Sequence, residues 1–337
     1  MIQFADVIVD LQAGDTGKGK VAHALAKDYN AVLRYNGGAN AGHTVYHNGQ
    51  KMVTHQVPVG VFYNIPSIIG PGCVVNLPKL IDEFAMLKAL GFTAPLYIDK
   101  RVHVTTQQHI DEDSKDNKIG TTRQGIGPTY RDKYARTGQR ILEYVKLLNC
   151  NSPYNIIDIY QLLHQDDKQY RILCEGAQGF QIDIDWGDYP YVTSSHCTTG
   201  AVCLNGIPPQ KIRKVYGIMK AYETYSGFKT HFTDETDTVL NKIQEVGGEF
   251  GATTGRKRKV RWLDVDGVIR AANINGVTDL IINKADVLDT VGVFKFVHRG
   301  KLHTVDTLHV FQTTVDTIMT INTNIINITW SMTPNGI

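Results

Sequence analysis

A glycine-rich segment near the start of the chain carries two lysines and an aspartate, residues suited to phosphate chemistry. It covers residues 14–20 (GDTGKGK) and follows an apolar run at 7–9, which predicts a buried strand, a turn and a helix over 21–27. Backbone N–H groups and ammonium charges at a helix N-terminus bind phosphates. Asp15 would repel phosphate, so it needs another task, such as binding Mg²⁺ or accepting a proton. The spacing is not that of the P-loop motif, and a simple strand-to-helix turn is the alternative interpretation.

A histidine in a second glycine-rich turn is a candidate partner for this aspartate. Residues 40–44 (NAGHT) follow a predicted strand over 31–35. Loops at the carboxyl ends of strands in a doubly wound sheet converge on one crevice. Asp15 and His43 are therefore predicted to flank one substrate as base and acid. A purely structural role is the alternative for a single histidine.

Two later segments have the residue types that recognise a base and an anion. Residues 283–286 (NKAD) follow an apolar run and have the form of a guanine reader, in which Asp286 accepts the N1–H and 2-amino protons while the Lys284 stem lies along the base. A helix N-cap is the alternative. Residues 251–261 include Arg256 and Arg258, whose guanidinium forks suit carboxylates and phosphates. A nucleic-acid strip is less favoured because no stacking aromatic residues alternate with these cations.

The elements that must position these residues predict an α/β fold. Short apolar runs recur at 67–69, 171–173, 214–218 and 279–282, with helical patterns between several of them, as over 80–90. This alternation predicts a mostly parallel central sheet flanked by helices. Residues 111–136 are polar and rich in glycine and threonine, which favours a long functional loop. We expect residues 1–337 to form a single domain with loop and helical excursions.

Composition excludes several classes of protein. The formal net charge of +2 is too small for a protein that coats nucleic acid. No apolar run is long enough to cross a bilayer, so a membrane partner is not expected. The five cysteines are scattered without a C-x-x-C pair, and no secretory signal is visible, which together favour a cytoplasmic location.

Six ordered segments resemble adenylosuccinate synthetase over nearly the whole chain. They are residues 14–20, 40–44, 119–128 (IGTTRQGIGP), 175–179 (EGAQG), 189–195 (YPYVTSS) and the GATTGR run from 251, and the guanine-reading segment follows them. The resemblance implies the P-loop-NTPase-like α/β fold of that family. It also implies a carbon–nitrogen ligase that joins L-aspartate to C6 of a 6-oxopurine nucleotide through a 6-phosphoryl intermediate.

The resemblance assigns a role to each matching residue. The implied catalytic residues are Asp15, His43 and Gln178, and Mg²⁺ would be held by Asp15 and the Gly42 carbonyl. The implied triphosphate site comprises Gly14, Thr16, Gly17, Lys18, Gly19, Lys20, Gly42, Thr44, Lys284, Asp286 and Ser331. The purine monophosphate would contact Asn40, Thr121, Thr122, Arg136, Gln178, Thr193 and Arg256. L-Aspartate would contact Thr253, Thr254, Arg256 and Arg258. A homodimer is implied, because Arg136 would reach the 5′-phosphate of the neighbouring subunit.

Departures from the family pattern bear on the substrates. The chain is shorter than usual, its loop has Thr16 instead of glutamate, and Phe228 stands where alanine is usual and could fill the volume of a 2′-hydroxyl. These features favour dGMP as the nucleotide, as in the bacteriophage branch that makes a diaminopurine DNA precursor. IMP is the alternative, and the retained Asp15 counts towards it. Residues 283–286 predict GTP over ATP, and a GTP-binding regulatory protein is the alternative of another class.

Overall fold

The computed structural model describes residues 1–148, 154–229, 232, 236–251 and 255–333. Its centre is a sheet of nine strands, all paired in parallel. The strands in chain order are β1 Ile2–Asp10, β2 Ala31–Arg34, β3 His43–His47, β4 Gln50–Thr54, β5 Ser67–Ile69, β6 Val74–Val75, β7 Leu96–Asp99, β8 His103–Val104, β9 Asn155–Ile157, β10 Tyr170–Glu175, β11 Ile212–Lys220, β12 Tyr222–Tyr225, β13 Lys259–Asp264, β14 Asp279–Asn283, β15 Phe294–His298, β16 Lys301–Val305 and β17 Asn327–Ser331. The order across the large sheet is β17-β14-β11-β1-β10-β2-β5-β7-β9, so β1 lies near the middle.

Helices cover both faces of the large sheet. They are α1 Lys18–Ala26, α2 Leu77–Ala89, α3 Gln107–Asp113, α4 Ile126–Ala135, α5 Ile141–Leu148, α6 Gly200–Cys203, α7 Thr238–Val246, α8 Val265–Asn275, α9 Ala285–Val291 and α10 Leu308–Asn322. Side chains alternate across a strand, so Val7 and Val9 belong to one core while Ile8 belongs to the other. The first core is completed by helices such as α8 and α10, and the second by α1 and α2. The α/β architecture predicted from the sequence is confirmed.

Smaller sheets decorate this framework. The strands β12, β13, β15 and β16 form a four-stranded mixed sheet, and β3 and β4 form an antiparallel hairpin that begins at His43. None of the helices within the described ranges combines the length and apolar character needed to cross a bilayer.

The predicted loop over residues 111–136 is wrong at its start and in its second half, because residues 111–113 belong to α3 and Ile126–Ala135 is helical. Gly125 enters the helix with φ +75°, which glycine adopts readily. Pro128 lies in the first turn, where its missing N–H costs no helical hydrogen bond. Ile126 and Tyr130, one turn apart, pack with Val74 in a small buried cluster. This i, i+4 apolar pair was the sequence signal for the helix, although polar neighbours obscured it.

Candidate active site

A cavity of about 770 Å³ lies at the carboxyl ends of the central strands, where β1, β2 and β10 lead into loops. Parallel strands deliver these loops to one edge of the sheet, as expected for an open α/β fold. The cavity collects most of the predicted site residues. Those that line it are Gly14, Asp15, Gly17, Lys18, Gly19, Asn40, Gly42, His43, Thr44, Thr121, Thr122, Gln178, Thr193, Arg256 and Arg258.

The buried carboxylate of Asp10, the last residue of β1, organises the glycine-rich loop. It accepts hydrogen bonds from the backbone N–H of Gln12 at 2.9 Å and of Gly14 at 3.3 Å, and it pairs with the Lys18 ammonium at 2.8 Å. The Thr16 hydroxyl also donates to it. The Thr16 side chain therefore faces the loop interior and is not among the residues that line the cavity, and its contact with the triphosphate stays a prediction.

A close approach between the loop and the hairpin places His43 beside the phosphate-binding turn. A Cβ added to Gly19 would lie 2.7 Å from the His43 Cβ and 3.0 Å from its Cα. Only glycine leaves room for this contact. The His43 side chain is buried, and its Nδ1 hydrogen-bonds to the carboxylate of Glu175 and lies 3.2 Å from an Arg34 nitrogen.

This buried group of charges sets the protonation of His43. Burial lowers the pKa of His43 to about 4, and Arg34 acts in the same direction against the opposing effect of Glu175. The imidazole is thus neutral at pH 7. A carboxylate only accepts hydrogen bonds, so the ring proton is on Nδ1 and the Nε2 lone pair is free for the ligand side.

Glu175 remains ionised although it is fully buried. Burial alone would raise the pKa of Glu175, but Arg34 and His43 outweigh it and lower the pKa to about 2. The Arg34 guanidinium lies 2.7 Å from one carboxylate oxygen, and the Val59 N–H donates to the other at 2.9 Å. Arg34 and Glu175 were not predicted as site residues. The available signal was a charge at the last position of two apolar strands that turn out to be neighbours, β2 and β10.

The carboxylate of Asp15 reaches the arginine predicted to bind aspartate. The Arg258 Nε lies 2.9 Å from Asp15 Oδ2, and Arg258 also donates to the buried carboxylate of Glu249 at 2.6 Å. Asp15 has φ +58°, a left-handed conformation that turns its side chain towards the cavity. The predicted base and an arginine predicted to bind aspartate are thus adjacent.

Another wall of the cavity is held by Arg256. This guanidinium donates to the carbonyl oxygens of Gly120 at 2.9 Å and Ser226 at 3.0 Å, which fixes the turn before Thr121 and Thr122. The Phe228 ring packs against Gly120 and is not among the residues that line the cavity. The ring packs against this turn and not into the cavity, so the predicted filling of the 2′-hydroxyl volume has no support in its position.

The predicted base-reading residues lie next to the end of the glycine-rich loop. Lys20 donates to the Ser331 hydroxyl at 2.8 Å and to the Thr333 carbonyl at 2.9 Å. Burial lowers the pKa of Lys20 to about 8; the nearby charge of Asp286 opposes this effect, whereas Lys284 adds to it. Lys20, Lys284, Asp286 and Ser331 do not line the main cavity. They form a second region where a triphosphate bound at the loop could extend.

Four further predicted residues complete the set. Gln178 lines the cavity with φ +58°, and its buried Oε1 has no hydrogen-bond partner among the described residues. Arg136 ends α4, is exposed and does not line the cavity. Thr253 and Thr254 lie outside the described residues.

The expected Mg²⁺ site has suitable donors. The Asp15 carboxylate and the Gly42 backbone line the same cavity, and Mg²⁺ prefers oxygen donors with the remaining positions taken by water and phosphate. Asp183, Asp185 and His196 also have side chains of metal-ligating types that lie close together, but another role accounts for Asp183. The Asp183 carboxylate accepts backbone N–H groups of Asp185, Trp186 and Cys197 at 2.9, 3.0 and 2.5 Å, which gives it a structural task.

Comparison with known proteins gives the family. The adenylosuccinate synthetase family model matches residues 7–155 and 141–323. The chain belongs to the adenylosuccinate synthetase family. The adenylosuccinate synthetase of Brevibacillus brevis is 40% identical over 333 residues, covering 85% of this chain and 78% of the relative. That of Chlorobaculum tepidum is 38% identical over 339 residues, covering 85% and 77%. The chain is therefore a ligase of the carbon–nitrogen type.

Solved structures agree on the fold. The fully ligated adenylosuccinate synthetase from Plasmodium falciparum superimposes with a TM-score of 0.84 at 26% identity, covering 98% of this chain and 97% of the other. The cyanophage S-2L succinoaminodeoxyadenylate synthetase, bound to dGMP and dATP, gives a TM-score of 0.79 at 22% identity, covering 99% and 94%. At that identity the second likeness concerns the fold alone.

Replacing Gly19 by alanine tests the close approach between the loop and His43. We expect Gly19→Ala to reduce kcat/KM for aspartate-dependent phosphate release by at least about tenfold, because small displacements of catalytic groups are costly. Gly200→Ala is the matched control, since its added Cβ would meet nothing nearer than 3.7 Å. Equal rates for Gly19→Ala and the parent would contradict this expectation.

The lowered pKa of His43 predicts a pH-dependent stability. Below the ordinary histidine pKa of 6.5 the unfolded chain takes up a proton that the folded protein refuses until about pH 4. The free energy of unfolding should therefore fall as pH decreases from 6.5 to 4. In urea titrations, His43→Gln should show a smaller fall than the parent. The exposed control His309→Gln should match the parent, and an identical fall in His43→Gln would refute the assignment.

Proposed function

We propose that the protein joins L-aspartate to C6 of IMP with GTP as the phosphoryl donor, which yields adenylosuccinate, GDP and phosphate. The observation that carries this proposal is one cavity lined by the glycine-rich loop, His43, the threonines of two further turns and two arginines. A phosphate-binding turn, a base and carboxylate-binding cations are what the three substrates require. The relatives at 38–40% identity bear the name of this activity.

The first step activates a poor electrophile. A 6-oxopurine is a lactam, and its oxygen leaves only after phosphorylation. Asp15 would take the N1 proton, so that O6 attacks the γ-phosphorus and the bond to the departing diphosphate breaks. His43 would lie beside the transferred group. Phosphate oxygens bound there would favour the protonated imidazole, which can donate a hydrogen bond from Nε2 while its Nδ1–H still donates to Glu175.

The second step replaces phosphate by nitrogen. The amine of L-aspartate would attack C6, the bond from C6 to the phosphorylated oxygen would break, and inorganic phosphate would leave with the proton that the amine loses. Arg258 lies within 2.9 Å of Asp15, so an aspartate carboxylate held by this guanidinium would lie near the purine ring that Asp15 deprotonates. Proximity of this kind supplies much of the rate enhancement in a two-substrate reaction.

When bound, Mg²⁺ would neutralise charge on the transferred phosphates. Asp15 and the Gly42 carbonyl would hold it. Lys18 would contribute a second positive charge to the same turn, once phosphate competes with Asp10 for its ammonium.

Two observations favour IMP over dGMP as the nucleotide. The relatives of highest identity reported above are adenylosuccinate synthetases, whereas the likeness to the dGMP-bound phage enzyme rests on the fold. The Phe228 ring, which suggested a deoxyribose, packs against Gly120 and is not among the residues that line the cavity. A homodimer completed by Arg136 of each subunit is part of the proposal, and the exposed position of Arg136 agrees with it.

A substrate panel tests the proposal. We expect phosphate release to require L-aspartate. It should be most efficient with IMP among the monophosphates IMP, GMP and dGMP, and with GTP rather than ATP as the donor. Asp15→Asn should lower the rate by about 10²-fold or more, because the general base is lost. A preference for dGMP would reinstate the phage-type substrate. GTP hydrolysis that ignores aspartate would instead favour a regulatory GTP-binding protein and overturn the proposal.

Base recognition can be tested separately at α9. Asp286→Ala should reduce the preference for GTP over ATP about ten- to hundredfold, because an acceptor for the guanine N1–H and 2-amino protons is lost. Asp289→Ala, an exposed carboxylate on the same helix, should leave the preference unchanged. If Asp286→Ala also kept the preference of the parent, the guanine-reading role would be refuted.

A further inference from the structure

Arg258 is fixed by a second carboxylate that lies behind the cavity. Glu249 is buried and does not line the cavity, yet its carboxylate accepts a hydrogen bond from the Arg258 guanidinium at 2.6 Å. Its backbone carbonyl accepts the Arg258 N–H at 2.9 Å. One residue thus holds both ends of Arg258. A bridge between Phe250 and Lys257 continues this antiparallel pairing.

The surroundings keep Glu249 charged and immobile. The same carboxylate oxygen pairs with the buried ammonium of Lys220 at 2.8 Å, and the Tyr222 hydroxyl donates to the other oxygen at 2.7 Å. Burial alone would raise the pKa of Glu249, but Lys220 and Arg258 outweigh it and lower the pKa to about 2. Lys220 also donates to the Thr224 hydroxyl at 3.0 Å. A carboxylate with this many partners has one available geometry.

The balance of charges around Arg258 makes its pairing with Glu249 important during the reaction. Asp15 and Glu249 together balance Lys220 and Arg258. In the proposed reaction Asp15 turns to Mg²⁺ and the N1 proton, so its contact with Arg258 is given up. One positive charge is then unbalanced and faces the cavity through Arg258, which is 11% exposed. A substrate carboxylate is the natural replacement for Asp15.

We propose that Glu249 is the positioning residue for L-aspartate: it holds Arg258 at the substrate carboxylate after Asp15 has released that guanidinium. The inference rests on the proposed function and deepens it. Glu249 touches no substrate and acts through Arg258. Its loss therefore impairs the second step, in which aspartate attacks, and spares phosphorylation of the purine.

The two steps can be measured apart. Phosphorylation of IMP without aspartate is read from the scrambling of isotopic oxygen between the bridging and non-bridging β-positions of labelled GTP. We expect Glu249→Gln to raise the KM for L-aspartate ten- to hundredfold, the effect of losing a charge-assisted hydrogen bond. Scrambling should stay within about twofold of the parent. A general structural defect would weaken the binding of aspartate and also reduce the scrambling.

A conservative variant and a matched control complete the test. Glu249→Asp keeps the negative charge near Lys220 but shortens the side chain by one methylene. This variant should fold even if Glu249→Gln does not, and it should raise the KM for aspartate by a smaller factor. Glu223→Gln removes another fully buried carboxylate, which pairs with Arg261 away from the main cavity. It should leave the KM for aspartate unchanged.

Each result has one meaning. An unchanged KM for aspartate in a folded Glu249 variant, or an equal loss of scrambling, would overturn the positioning role. Absence of scrambling in the parent with every purine monophosphate and donor tested would instead overturn the proposed function. The two failures are therefore distinguishable.

Discussion

A carboxylate buried in a protein interior must be paired, and the site of this protein is built on three such carboxylates. Asp10 gathers the N–H groups and the ammonium of the glycine-rich loop, Glu175 joins Arg34 to His43, and Glu249 joins Lys220 to Arg258. Leaving any of them without partners would cost several kcal/mol. Each pairing therefore fixes the loop or side chain that supplies the other half of the ion pair.

The parallel sheet explains why these pairings meet. Asp10 and Glu175 end two neighbouring strands, β1 and β10, and Arg34 ends the next strand, β2. Lys220 ends β11 on the other side of β1. Parallel strands place their carboxyl ends at one edge, so charged residues far apart in the chain become neighbours there. Helices on both faces exclude water from the strands and make the charges at this edge costly to leave unpaired.

The chemistry follows from how these fixed charges face the cavity. The catalytic candidate His43 is held by Glu175 behind it, whereas Asp15 contacts Arg258, which also lines the cavity. A preorganised arrangement of this kind lowers the cost of reorganisation when charge develops during phosphoryl transfer. In the proposed reaction, the contact between Asp15 and Arg258 would also join the nucleotide and aspartate halves of the cavity, which suits a ligase that must keep an activated intermediate from water until the amine arrives.

The sequence by itself predicted six of the nine strands of the central sheet, the glycine-rich loop and fifteen of the residues that line the cavity, because apolar runs and short motifs are local signals. It also predicted a helix after Gly19, although it did not show that Gly19 leaves space for His43. Only the tertiary structure showed how Arg34, Glu175 and Glu249 are paired, that the Thr16 side chain faces inward and that Phe228 packs against Gly120. These features depend on which strands are adjacent in the sheet and on which buried charges pair. The spacing of residues along the chain determines neither.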